Sequence, residues 1–240
     1  MGEVPRLSVV VPVYNEARRV EAGVSAITAY LAAAGLPSEL VLVDDGSTDG
    51  TAGLARPILP PGSRVLEEPH RGKGGAVRSG MLQARGEYVI FMDIDLATPV
   101  TFIEPCLTRL QRGADVVIGS RRTPDARIER HQARLREWLG QGFSLLSRIL
   151  TGAHVSDFTC GFKGFRREAA RAVFSRQRVE NWSFDAELLF LVTLLGLRVE
   201  ELPVVWSNDA RTKVRLGRDI LGSLAGLLTI RVNHLRGRYR

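Results

Sequence analysis

The sequence predicts an α/β fold: a doubly wound, mostly parallel sheet with helices on both faces. Three observations carry this. Short apolar runs recur through the first half of the 240 residues, each bounded by turn residues. Helical stretches with capping signals separate them. The runs are apolar without alternation, as strands covered on both faces must be. Strand–helix alternation of this kind gives parallel pairing through right-handed crossovers.

The elements come in order along the chain. LSVVVPV (7–13) is the first strand, and Asn15 is placed to cap a helix ending at Gly35, with Pro37 beyond it. ELVLV (39–43) is the second, running into DDGSTDGT (44–51), where Ser47 or Thr48 can cap the next helix. RVLEE (64–68) is a weaker strand, followed by the glycine-rich HRGKGGAVRSG (70–80). YVIFM (88–92) is the fourth strand, a helix over 99–112 closes at Gly113, and DVVIG (115–119) is the fifth strand. In the second half 131–151 reads as helix, DFTCGFKGF (157–165) as turn and strand, and WSFDAELLFLVTLLG (182–196) as an apolar helix. RVEELPVVWS (198–207) is extended with an internal proline. No repeat, low-complexity segment or linker divides the chain, so the halves share one core. The expected division is a domain over 1–207 and a basic amphipathic helical segment over 208–240.

Composition bounds the function. Hydrophobic content of 45% and charged content of 25% are those of a globular chain able to bury a core without disulfides. Cys106 and Cys160 have neither metal nor redox spacing, which predicts reduced thiols in a cytosolic protein. The N-terminus lacks the pattern of a signal peptide. The late apolar run ILGSLAGLLTI (220–230) is shorter than the roughly 20 residues that cross a bilayer. The net charge of +7 is uneven: 209–240 holds eight Lys/Arg against two Asp. Such a tail is a solvated face or an attraction to an anionic surface. There is no nucleic-acid motif and no aromatic array, which favours membrane over nucleic acid.

Three motifs fall at strand ends, where open parallel sheets bind ligands: PVYNE (12–16), DDGS (44–47) and DIDLATP (93–99). They bring Glu16, Asp44, Asp45, Asp93 and Asp95 to one crevice. Asp93 and Asp95 stand two apart in what reads as extended chain, so their side chains point the same way. Such a pair suits Mg2+ or Mn2+ together with a diphosphate; capping of the next helix is the alternative. Gly72, Gly74 and Gly75, with Arg71, Lys73 and Arg78, read as a phosphate cradle or as a flexible turn. Arg121 and Arg122 follow the fifth strand, and Arg127, Arg130, Arg134 and Arg136 come next. Their forks suit phosphate oxygens, although Arg127 and Arg130 fit an exposed basic loop. His70, His131, His154 and His234 have no ligand spacing and read as structural or solvated.

Taken together, V-P-V-Y-N-E, V-D-D-G-S-T-D-G-T, G-K-G-x-A-x-R-x-G, D-x-D and G-S-R occur in the order found in family-2 glycosyltransferases of the GT-A fold. DFTCGFKGFRREAA (157–170), ENWSFDAELLFL (180–191) and ELPVVW (201–206) resemble the polyprenyl-phosphate sugar synthases, and within them the dolichyl-phosphate β-glucosyltransferases. The resemblance runs from Leu7 into the C-terminal helix. It implies a metal-dependent, inverting transfer of a sugar from a nucleotide-sugar to a polyprenyl phosphate. Pro12, Tyr14, Glu16, Asp44 and Asp45 would bind base and ribose; Lys73, Asp93 and Asp95 would serve the diphosphate and metal. Arg121 and Arg136 would contact the acceptor phosphate or leaving diphosphate. Asp157 would face the sugar or acceptor, and Asp185 would support it. Ala97, followed by Thr98, stands where mannosyl-type relatives carry a Gln, which favours UDP-glucose over GDP-mannose. A mannosyl-type synthase, a soluble acceptor, and more remotely a sugar-phosphate nucleotidyltransferase are the alternatives. The implied location is cytoplasmic, peripheral on the inner face of a membrane.

Overall fold

A computed structural model of the chain describes residues 4–130, 134–207 and 216–240, without the side chains of 134–137, 216–221 and 223. Its strands are β1 Leu7–Val13, β2 Ser38–Asp44, β3 Arg64–Glu67, β4 Tyr88–Phe91, β5 Val116–Ser120, β6 Arg127–Arg130, β7 Lys163–Arg166, β8 Val199–Pro203 and β9 Val205–Ser207. Its α-helices are α1 Val20–Ala34, α2 Thr51–Ala55, α3 Lys73–Gln83, α4 Ile103–Gln111, α5 Arg134–Thr151, α6 Arg167–Arg176, α7 Phe184–Leu194 and α8 Leu216–Leu235.

Seven strands form one sheet in the order β3-β2-β1-β4-β7-β5-β8, and β6 pairs with β9 alongside. The five expected strands stand in place. β1 to β4 run parallel, as do β5 and β8. β7 is antiparallel and lies between β4 and β5. The second half of the chain therefore supplies a central strand.

Residue alternation divides the core between the two faces of the sheet. Val10, Val41 and Val43 join Val77, Met81, Phe174 and Leu188 on one face. Val9, Val11, Leu40 and Leu42 join Val24, Ile27, Leu107 and Leu110 on the other. α3 packs so closely that a Cβ on Gly80 would stand 2.4 Å from Val10 Cγ1.

Two helix starts differ from expectation. α1 begins at Val20 with Arg19 at its N-cap position, so Asn15, at φ +53°, stands too far upstream to cap it. Its Oδ1 accepts from the Thr48 amide at 2.8 Å, while its own amide donates to Ser47 Oγ at 2.8 Å. The two candidate caps tie the loops after β1 and β2 to each other, because neighbouring strand ends place them within reach. Asp49 instead accepts from the Thr51 amide at the start of α2.

α8 is part of the core. Leu227 and Ile230 are buried, as is Tyr239 beyond its end. The Tyr239 hydroxyl donates to Glu187 of α7, whose carboxylate also takes the Val179 amide at 2.7 Å. The opposite side of α8 exposes Leu224, Leu228, Val232 and Leu235. The basic positions 211, 213 and 215 lie outside the described residues. No helix among the described residues is long and apolar enough to cross a membrane.

At the far end of the sheet, buried Glu39 accepts from Ser8 Oγ (2.6 Å), the Arg85 amide (2.7 Å), Arg85 Nε (2.9 Å) and Arg64 Nη1 (2.8 Å). Burial pushes its carboxyl up, but these donors more than offset it and hold it below the usual glutamate value. A depressed carboxyl stabilises the fold fully above its unfolded pKa, about 4.3, and loses that as pH falls through the folded value. Urea midpoints of wild type and Glu39→Gln should therefore differ most near pH 7 and converge below about pH 4. A gap independent of pH would mean that ionisation of Glu39 is not its source.

Candidate active site

The carboxyl ends of β1, β2, β4 and β5 open on one side of the sheet, and the expected acids gather there. Asp44 and Asp45 close β2 and are buried. Asp44 accepts from the Ser47 amide at 2.9 Å. Asp45 accepts from the Arg71 amide (2.8 Å) and the Gly72 amide (2.9 Å), with His70 Nδ1 at 2.8 Å. Its carboxylate thus folds the glycine-rich loop over the end of the sheet. Gly72 sits at φ +105°, and a Cβ there would meet the Glu180 carbonyl at 2.8 Å, so the turn requires glycine. His70 stacks on Tyr14, ring centroids 4.1 Å apart. A lone histidine carries no spacing signal, which is why the sequence did not single it out. Pro12 lies in β1, and Glu16 pairs with Arg19 at 2.6 Å.

Asp93 and Asp95 do not lie in extended chain. β4 ends at Phe91, and the Leu96 amide returns to the Asp93 carbonyl at 3.2 Å, with Leu96 at φ +53°. The turn brings the two carboxylates together. Burial first, and then the charge of Asp93, push the Asp95 carboxyl up. Lys73 Nζ lies 2.6 Å from Asp93 Oδ1 and 5.7 Å from the centre of the Trp182 ring. Burial pulls its ammonium down, but Asp93, Asp185 and Asp95 together more than offset this. A Cβ on Gly161 would stand 2.0 Å from Asp93 Oδ2, so only glycine lets this segment back the carboxylate.

That segment is the start of the second half's contribution. Asp157 is fully buried. Its Oδ2 takes Arg121 Nε at 2.7 Å and the Arg121 amide at 3.1 Å, while Oδ1 takes Arg121 Nη2 at 2.8 Å. Thr159 Oγ1 accepts from the same Nη2, and the guanidinium lies 5.2 Å from the Trp206 ring centre. Burial opposes both ionised forms, yet the pairing wins: Asp157 is held well below the carboxylate range and Arg121 is raised. Both Asp157 oxygens are thus taken up inside the protein, by Arg121 and by the Thr159 amide. Arg121 gives Nε and Nη2 to Asp157.

Asp185, on the first turn of α7, meets Lys163 Nζ at 2.6 Å. Lys163 is fully buried, donates also to the Cys160 carbonyl at 2.7 Å, and lies over the Phe91 ring. Burial pushes Asp185 up, and Lys163 and Lys73 only partly offset it. Asp185 is therefore buried and paired with Lys163. Lys163 escaped the sequence reading because a lysine in a strand reads as exposed. Arg136 lies in α5, and its side chain is outside the described residues.

Among the described residues no third His, Cys, Asp or Glu joins Asp93 and Asp95. Two carboxylates with the remaining positions open match Mg2+ or Mn2+, which are commonly completed by substrate phosphates and water. The crowded pair and the raised Asp95 carboxyl fit such a cation.

Comparison with known proteins shows the family and the fold. Residues 8–174 match the family described as Glycosyl transferase family 2. Dolichyl-phosphate beta-glucosyltransferase ALG5C of Trichomonas vaginalis is 37% identical over 86% of this chain and 65% of its own, so the chain spans just under two thirds of that relative. Dolichyl-phosphate beta-glucosyltransferase of Saccharomyces cerevisiae is 34% identical over 98% of this chain and 76% of its own. Among solved structures, glucosyl-3-phosphoglycerate synthase of Mycobacterium tuberculosis, in complex with Mn2+, UDP and glucosyl-3-phosphoglycerate, superposes with a TM-score of 0.71. It is 22% identical and covers 94% of this chain and 80% of its own, a likeness of fold.

The clamp between Asp157 and Arg121 yields a stability prediction. Arg121→Gln leaves a buried carboxylate unpaired and should cost about 3 to 5 kcal/mol in urea unfolding. Removing Asp157 as well should cost less than the two single losses combined. Additive losses would show that the two side chains act separately.

Proposed function

Because the chain belongs to glycosyl transferase family 2, we propose that it transfers glucose from UDP-glucose to the phosphate of a polyprenyl-phosphate lipid, giving a β-linked product. The observation that carries this reading is the Asp93–Asp95 turn, with Lys73 on Asp93, beside the loop that Asp45 folds at the carboxyl end of the sheet. The two glucosyltransferase relatives and the UDP and Mn2+ of the solved neighbour support the choice of donor and metal. Ala97 in place of Gln, followed by Thr98, favours glucose.

In this reading Pro12, Tyr14, Glu16, Asp44 and Asp45 bind the base and ribose. Asp93 and Asp95 would hold Mg2+ or Mn2+, which when bound neutralises charge building on the leaving diphosphate. Lys73, at the rim between the two carboxylates and Trp182, adds its ammonium to that same charge. An oxygen of the acceptor phosphate attacks the anomeric carbon as its bond to the diphosphate breaks, and UDP leaves with the bonding pair. A phosphate monoester, with a second pKa of about 6, is largely dianionic near neutral pH. Little general-base help is needed, which agrees with Asp157 having no free oxygen. Asp157 and Asp185 act as positioning residues.

Transfer of labelled glucose from UDP-glucose to polyprenyl phosphate in Mn2+ tests this. Chelator should abolish it, and Asp95→Asn should lower it at least about 100-fold, as removal of a key electrostatic group does. UDP should bind more tightly than GDP in calorimetry. Full activity in excess chelator, or tighter GDP, would overturn the metal or donor assignment.

A lipid acceptor requires the protein to meet a membrane. α8 exposes Leu224, Leu228, Val232 and Leu235, and Arg231, Arg236, Arg238 and Arg240 accompany them in sequence. Such a helix lies in a bilayer interface without spanning it, with about 1 kcal/mol per basic residue near anionic lipid. The chain should cosediment with anionic liposomes at low salt and be released by salt. Reversing the arginines of 209–240 to Glu should abolish pelleting. A wild type that stays in the supernatant would favour a soluble acceptor.

A further inference from the structure

The glycine-rich turn at the start of α3 is packed against protein. The Gly74 amide, in the first turn of the helix, donates to the Glu180 carbonyl at 2.8 Å. A free amide at that place would be open to an anion, but this one is taken. Buried Gln177 donates from Nε2 to the Gly74 carbonyl at 2.9 Å and to the Val179 carbonyl at 2.8 Å. A Cβ on Gly74 would stand 2.6 Å from Phe184 Cβ, and one on Gly72 would stand 2.8 Å from the Glu180 carbonyl oxygen. Both glycines therefore serve the close approach of the chain over 177–184. Between them stands Lys73, whose ammonium meets Asp93 and lies 5.7 Å from the Trp182 ring centre. The same chain thus flanks Lys73 along the backbone and, through Trp182, at the ammonium.

Between α6 and α7, residues 177–183 form neither helix nor strand. Their backbone groups take partners from elsewhere, as buried backbone must. Glu187, fully buried on α7, accepts at Oε2 from the Arg178 amide (3.0 Å) and the Val179 amide (2.7 Å). Its Oε1 takes the Tyr239 hydroxyl. Tyr239 is buried beyond the end of α8, and its carbonyl accepts from Arg176 Nε at 3.2 Å. α8 also meets the segment directly: a Cβ on Gly226 would stand 2.2 Å from Ser183 Oγ. An unbroken series of contacts therefore runs from the C-terminus through Glu187 and residues 178–180 to Gly74, one residue from the ammonium on Asp93.

We propose that Gln177, Glu187 and Tyr239 are positioning residues of the transferase. By fixing 177–183 they hold the Gly74 peptide, and through it they aim the Lys73 ammonium at the diphosphate. The C-terminal helix is then part of the donor site. This rests on the transfer reaction proposed above.

Calorimetry with UDP and Mn2+, and kinetics of the full chain with UDP-glucose, Mn2+ and polyprenyl phosphate, test the assignment. Glu187→Gln turns an acceptor oxygen into a donor facing the Arg178 and Val179 amides. It should raise the UDP Kd and lower kcat about 10-fold or more, as loss of a charge-assisted hydrogen bond does, with the acceptor KM unchanged. Tyr239→Phe should move the same two quantities about 2- to 10-fold. The Gly74 amide should exchange with deuterium faster in both variants. Binding stoichiometry counts folded molecules, so a weaker Kd at unchanged stoichiometry is not a loss of fold. Glu39→Gln, at the opposite end of the sheet, should lower Tm and leave the UDP Kd as in wild type. An unchanged UDP Kd in both Glu187→Gln and Tyr239→Phe, or an equal weakening in Glu39→Gln, would overturn the assignment. A wild type that binds UDP yet glucosylates no prenyl phosphate would overturn the proposed reaction and, with it, the role of these residues in transfer.

Discussion

A carboxylate taken out of water must be paired, and the carboxyl end of this sheet is built around that constraint. Asp45, Asp157 and Asp185 are all buried there, and each meets its own donors: the glycine-rich loop, Arg121 and Lys163. Every pairing joins segments far apart in sequence. Asp45 ties β2 to the start of α3, Asp157 ties the loop before β7 to the end of β5, and Lys163 ties β7 to α7. Breaking one pair would leave an unmatched charge and release a wall of the site.

The segment 157–163 concentrates this effect. It grips Arg121 at one end and Asp185 at the other, and between them Gly161 rests against Asp93. Its route explains the antiparallel β7 in an otherwise parallel sheet: only a strand entering from the opposite side delivers this loop to the ends of β4 and β5. The Asp93–Leu96 turn is thereby backed by the segment that carries the two buried ion pairs. Fixed dipoles and charges of this kind need no reorganisation when a diphosphate departs. In the proposed reaction, the Asp157–Arg121 and Asp185–Lys163 pairs hold the site, while Asp93, Asp95 and Lys73 meet the diphosphate and metal.

The helices show a comparable division. α8 buries Leu227 and Ile230 on one side and exposes Leu228, Val232 and Leu235 on the other. Tyr239 anchors its end through Glu187, a carboxyl that burial pushes up. A helix apolar on both sides and rooted in the core is firm enough to present its outer stripe. α5 does the same with Trp138, Leu145 and Ile149 while its inner residues pack on the domain. Exposed apolar residues at helical spacing on adjacent helices suit a lipid surface better than scattered solvation.

Local pattern determined much of this protein. Five strands, the order of the motifs at their ends and the gathering of Asp44, Asp45, Asp93 and Asp95 were legible in the sequence, because apolar runs and turn residues act over a few positions. The glycine-rich loop was legible as a special turn. Tertiary structure decided the rest. Which arginine is paired depends on Asp157, thirty-six residues from Arg121, and no spacing rule spans that distance. Lys163 reads as a surface residue until β7 is placed at the centre of the sheet. Asn15 and Ser47 read as separate helix caps, yet they bond to each other across adjacent strand ends. The C-terminal segment read as one amphipathic helix, and only its packing on α7 shows Leu227 and Ile230 turned inward and Leu224, Leu228, Val232 and Leu235 left out. In each case the deciding partner comes from another element, and only the folded chain brings it within hydrogen-bond or packing distance.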